Sequence, residues 1–106
     1  MSYKLDMPQV GDILTLNTQS VYAHRSGEQI GKFLVVSKDS SEANKTRDID
    51  NTLITLYILQ MDKEYLPRNN KEGSTTTIRY GQMIYSLYSW KHDYHHPGKE
   101  GVQSGL

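Results

Sequence analysis

The sequence predicts a mainly β fold, a small twisted antiparallel barrel or sandwich with little helix. Short runs rich in β-branched and aromatic residues recur at 10–16, 32–37, 52–60, 74–80 and 82–90, between polar or glycine-punctuated segments. Eight of the ten aromatic residues are Tyr, with one Phe and one Trp. Tyr pairs a flat apolar face with a hydroxyl, which suits half-buried strands, interfaces and base stacking. There is no internal repeat, no heptad pattern and no sustained amphipathic helix.

The strands follow in order. Residues 1–9 read as a leader, with Pro8 holding the chain extended before the first strand, Val10–Leu16. A long polar loop at 17–31 is the kind that carries function. Lys32–Ser37 is the second strand, and its continuous apolar run predicts burial on both faces. The polar stretch Lys38–Asn51 has room for one helical turn around Ser41–Lys45. Thr52–Gln60, the most β-branched segment, is a third and central strand. Pro67, Asn69, Asn70 and Gly73 mark a turn region at 61–73. Two strands, Ser74–Tyr80 and Gln82–Trp90, follow with a break at Gly81. The expected organisation is one domain over residues 1–91 and a flexible tail over 92–106, where Pro97 and three glycines leave few apolar residues.

Composition narrows the functional classes. With 106 residues the chain supports one domain, and 36% hydrophobic residues suffice for one small core. Lys plus Arg and Asp plus Glu each number 12, so no global basic field draws the protein to nucleic acid, although a local basic groove is compatible. The absence of Cys excludes disulfides and thiolate metal sites. No apolar run approaches the ~20 residues of a membrane span, and no signal peptide is expected. The expectation is a small, soluble, cytoplasmic domain.

Three groups of residues have chemical potential. Within nine residues, 24–32, the first loop places His24, Arg25, Glu28 and Lys32. Cleavage of RNA by its own 2′-hydroxyl needs a base, an acid for the leaving 5′-oxygen and cations for the phosphorane. Glu28 or His24 suits proton transfer, and Arg25 or Lys32 suits phosphate; a solvated loop with balanced charges is the competing reading. Thr52, after Asn51, could bond phosphate or ribose, or simply start a strand. The cluster His92, His95 and His96 has metal-compatible spacing but leads into a glycine-rich tail, and it reads as incidental, so no metal is expected. Phosphate-cradling GxxxxGK[ST], GxGxxG, GxSxG and HExxH motifs are absent.

The order of these pieces resembles the PemK/MazF family of toxin ribonucleases. Gly11-Asp12-Ile13-Leu14 is similar to the family's GD-[IL] strand. Ser26-Gly27-Glu28-Gln29-Ile30-Gly31-Lys32 is similar to the loop signature G-x-E-Q-x-G-x-R-P. Leu34-Val35-Val36-Ser37, Asn44, Thr52–Leu56 and the Gln82-led segment follow in the family's order. The resemblance spans roughly residues 8–90. It implies an SH3-like antiparallel β-barrel, a homodimer, no cofactor, and metal-independent cleavage of single-stranded RNA to 2′,3′-cyclic phosphate and 5′-hydroxyl ends. The implied partner is an antitoxin whose tail fills the RNA groove. Glu28 and Thr52 match the loop carboxylate and strand-start hydroxyl; Lys32 or Arg25 would stand in for the charge of the family's catalytic Arg, and His24 lies near a His used in some members but at another offset. Gln29, Gly31 and Gln82 fall where substrate is bound. Phe33 stands where the family's Arg falls, Gly81 replaces an Asp, and the family's C-terminal helix has no counterpart. These departures support an alternative: an inactive β-barrel that binds RNA or a protein partner, with Tyr57, Tyr80, Tyr85, Tyr88 and Trp90 available for an interface.

Overall fold

The computed structural model describes residues 5–17, 29–62, 71–86 and 88–96. His24, Arg25 and Glu28 lie outside these residues, as do positions 97–106. Five antiparallel strands, β1 (Ile13–Asn17), β2 (Gln29–Asp39), β3 (Leu53–Met61), β4 (Thr75–Arg79) and β5 (Ser89–Tyr94), form one sheet in the order β4-β3-β2-β1-β5. Helix α1 (Ser41–Thr46) occupies the place of the expected helical turn and leads to a 3₁₀ turn at Ile49–Asn51. Helix α2 (Tyr80–Ile84) separates β4 from β5.

Alternation decides which side chains face the core. In β3, Ile54, Leu56 and Ile58 are fully buried, whereas Tyr57 and Leu59 are exposed. In β2, Phe33 and Val35 are buried but Val36 is exposed, so the strand buries one face rather than the two expected from its apolar run. Leu14 and Leu16 continue the inner face on β1, and Trp90 extends it on β5, its ring 5.0 Å from that of Phe33. Gly31 makes room for this packing, since a Cβ there would lie 2.9 Å from the Phe33 ring. Register shifts at Lys32/Phe33 and Val35/Ser37 mark bulges between β2 and β3, which bend the paired strands.

The segment 82–90 corrects the expectation of a single strand. Its first part belongs to α2, and pairing with β1 begins only at Ser89. Tyr80, Met83 and Ile84 recur at helical spacing; Tyr80 and Met83 are buried and Ile84 packs against the core. The Gln82 side chain accepts a hydrogen bond from the Arg79 N–H at 2.9 Å, closing the first turn. Tyr80 donates its hydroxyl to the Leu5 carbonyl and its N–H to the Thr52 carbonyl, which fixes the helix over the sheet end. Gly81 is no strand break: it lies in α2, and a Cβ there would lie 2.9 Å from Asp50 Cβ, so the close approach of the 3₁₀ turn requires glycine. β5 runs through Tyr94, three residues past the boundary expected at residue 91.

Replacing Phe33 with Ala removes a buried ring and its contact with Trp90 and should cost about 3–5 kcal/mol. Denaturant unfolding checks this; a loss under about 1 kcal/mol would show that the ring is not central to the core.

Candidate functional site

The most concentrated polar chemistry among the described residues sits where β1 begins and β5 ends. Gln9–Asp12 forms a tight turn, with the Asp12 N–H bonded to the Gln9 carbonyl at 2.9 Å and Gly11 at φ +98°. A positive φ at the third position is what a type II turn demands, and glycine adopts it without strain. The Gly11 N–H and Asp12 carbonyl then bond Val35 on β2, both at 2.9 Å. Asp12 shares the inner face of β1 with Leu14 and Leu16, and its side chain is fully buried.

A carboxylate placed among apolar residues needs partners. The Gln9 N–H donates to Oδ2 at 2.8 Å and the His96 N–H to Oδ1 at 2.5 Å. His92 Nε2 lies 3.0 Å and His95 Nδ1 2.6 Å from Oδ2. An ionised carboxylate only accepts, so on each imidazole the ring nitrogen that faces Asp12 is the donor. The two imidazoles lie 4.1 Å apart, centre to centre. Leu14 pairs with His92 across β1 and β5, and a bulge at Asp93 keeps the histidine on the inner face.

These contacts tune both groups. Burial pushes the Asp12 carboxyl up, but the Gln9 and His96 amides and the His95 ring more than reverse this, leaving it below its ordinary value of 3.8. His92 is held below its ordinary 6.5, first by burial and then by His95, against the pull of Asp12. His92 also lines one end of an open cleft of about 500 Å³ with Leu5, Asp6, Met83, Ile84, Trp90 and Lys91. A carboxylate that orients an imidazole at the wall of a cleft is an arrangement able to move a proton or hold a cation.

The other sequence-derived candidates are dispersed. Lys32 is on β2 opposite Thr15 and Gln60, with its ammonium 3.4 Å from Asp93. Thr52 is buried just before β3, eight residues from Gln60. An extended strand rises ~3.3 Å per residue, so roughly 25 Å separates Thr52 from the level of Lys32. Gln29 contacts Gln60 at 3.4 Å, Gly31 gives space to Phe33, and Gln82 caps α2. Phe33 is a core ring. The histidines read as incidental converge on Asp12 instead. The signal for this was alternation along β1: Asp12, Leu14 and Leu16 share a parity, so a charge had to face inward.

Compared with known proteins, the chain matches no family model, no curated protein and no solved structure.

Both pKa shifts make acid destabilising. The unfolded chain protonates His92 near pH 6.5 while the folded chain resists, so stability falls as pH drops below that value. Asp12 adds a further loss below 3.8, as pH falls through its depressed folded value. Urea midpoints should therefore decline from pH 7.5 to 5.5, and His92→Gln should flatten that first decline. A midpoint that rises on acidification would contradict the assignment.

Proposed function

We propose that this chain is an SH3-like barrel acting as a metal-independent, sequence-specific endoribonuclease toxin of a toxin–antitoxin pair. It would cleave single-stranded RNA in the cytoplasm to 2′,3′-cyclic phosphate and 5′-hydroxyl ends. The observation that carries the reading is the strand order β4-β3-β2-β1-β5, with a four-strand meander, a short helix and a return of β5 to β1. This is the connectivity expected of an SH3-like barrel, and the EQxG signature leads directly into its longest strand at Gln29. No described helix is long and apolar enough to cross a membrane.

In this reading Glu28 takes the 2′-hydroxyl proton and the cations of the first loop and of β2 hold phosphate. Thr15 is paired with Lys32 on one side and Lys91 on the other, which places two ammonium-bearing side chains on one sheet face, about two strand spacings or ~10 Å apart. The Lys32–Asp93 pair is part-exposed, and such pairs are weak, so a phosphate can displace the carboxylate. A homodimer and an antitoxin whose disordered tail fills the RNA groove are the partners the reading implies.

Phe33 favours a second reading. The position at which the family carries Arg holds a buried ring tilted against Trp90, and it supplies no charge. An RNA-binding or partner-binding barrel without turnover would look the same.

One experiment separates the two. Long single-stranded RNA incubated with the protein and EDTA should be cut at discrete sites with cyclic-phosphate ends, and Glu28→Gln should lower cleavage by at least ~10²-fold. Intact RNA, with binding that weakens as salt rises, would transfer the assignment to the binding reading. Neither cleavage nor binding would sink both RNA roles.

A further inference from the structure

We infer that Asp12, His92 and His95 form a binding site for a zinc-class divalent ion. This site is separate from the loop chemistry above and does not rest on the RNA reading.

Oδ2 of Asp12 has more hydrogen-bonding neighbours than it can serve. The Gln9 amide and the two imidazole nitrogens lie at 2.8, 3.0 and 2.6 Å from the single atom Oδ2 of Asp12. A carboxylate oxygen offers about two lone-pair directions, so three N–H donors compete for two places. Oδ1 meanwhile receives the His96 amide. A cation between Oδ2 and the two rings resolves the excess. One lone pair then serves the metal, which serves both imidazoles, and the other stays with the Gln9 amide. Each ring then presents an unprotonated nitrogen to the ion, as metal ligands must.

The dimensions agree. One oxygen and two nitrogen donors can be chosen from these residues so that all lie within 4.8 Å of one another. Zinc bonds of about 2.0–2.1 Å in a tetrahedron place neighbouring ligand atoms roughly 3.3–3.4 Å apart. The 3.0 Å and 2.6 Å contacts therefore need to open by only a few tenths of an ångström on the His92 side and somewhat more at His95. His95 follows the end of β5 and is part-exposed, so it is the ligand able to yield. The carboxylate is held on both oxygens by backbone amides, the outer support that metal ligands use. Two imidazoles and one carboxylate suit zinc and its first-row neighbours, not calcium or magnesium, which take oxygen ligands. Three protein ligands leave a fourth position for water. Bound there, the ion joins the turn before β1 to the end of β5.

The test titrates ZnCl₂ into the metal-stripped full chain at pH 7.5 by calorimetry, with thermal unfolding in parallel. We expect one saturable site per chain and a rise in Tm on saturation. His95→Ala should weaken binding by more than the ~10-fold lower bound typical of losing an outer-shell partner, and His96→Ala should retain it. Asp12→Asn, if circular dichroism shows it folded, should also lose affinity; if it does not fold, the part-exposed His95→Ala decides alone. Absence of one-to-one binding, undiminished affinity in His95→Ala, or full affinity in folded Asp12→Asn would each overturn the site. The last outcome would mean that the histidines bind metal as a free tail.

Discussion

The buried carboxylate of Asp12 is the constraint around which this small sheet is organised. An ionised group with no exposure is tolerated only if nearby dipoles replace the water it has lost, and here they come from both ends of the described chain. The turn before β1 supplies one amide, the segment after β5 supplies another, and two imidazoles close the ring. The same residue thus sets the direction in which the chain enters β1, fixes β5 alongside it, and creates the one dense group of titratable side chains among the described residues. Loss of any one partner leaves a charge partly unscreened in an apolar setting, which is why the network acts as a unit.

The core does a different task. Leu14, Phe33, Val35, Ile54, Leu56 and Ile58 form a continuous apolar layer across three strands, and Tyr80 and Met83 of α2 close one end of it. Trp90 meets Phe33 from the other side, next to His92 in β5. Packing therefore sets the position of β5, and the carboxylate sets the orientation of the imidazoles it carries. This division explains how a chain of modest apolar content holds a polar cluster at its inner face without opening the layer beneath.

Much of the sheet was legible in the sequence because apolar residues partly alternate with polar ones in β1, because β3 is rich in β-branched and apolar residues, and because turns are punctuated by Gly, Asn and Pro. α2 was not legible as a helix. Tyr80, Met83 and Ile84 satisfy a helical period while the surrounding Ile, Tyr and Leu residues satisfy a strand period, and only the fit of Tyr80 against Leu5 and Thr52 settles the contest. The apolar run of β2 suggested two buried faces; strand alternation turns Val36 outward instead, with Phe33 and Val35 inward. The Asp12 cluster was half legible. Strand parity turned the carboxylate inward, but nothing local connects it with histidines some 80 residues away. A cluster next to a glycine-rich tail lacks the short-range signals on which pattern reading depends.

That separation has a consequence for synthesis. His92, His95 and His96 leave the ribosome long after Asp12, and at about 5–20 residues per second the interval is roughly 4–16 s. Throughout it, the meander of β1 to β4 can form hairpin by hairpin, but its innermost charge has only the Gln9 amide and water for company. The nascent sheet must therefore stay open to solvent at the start of β1 until β5 arrives, and the last of the described strands to be made is the one that seals the first.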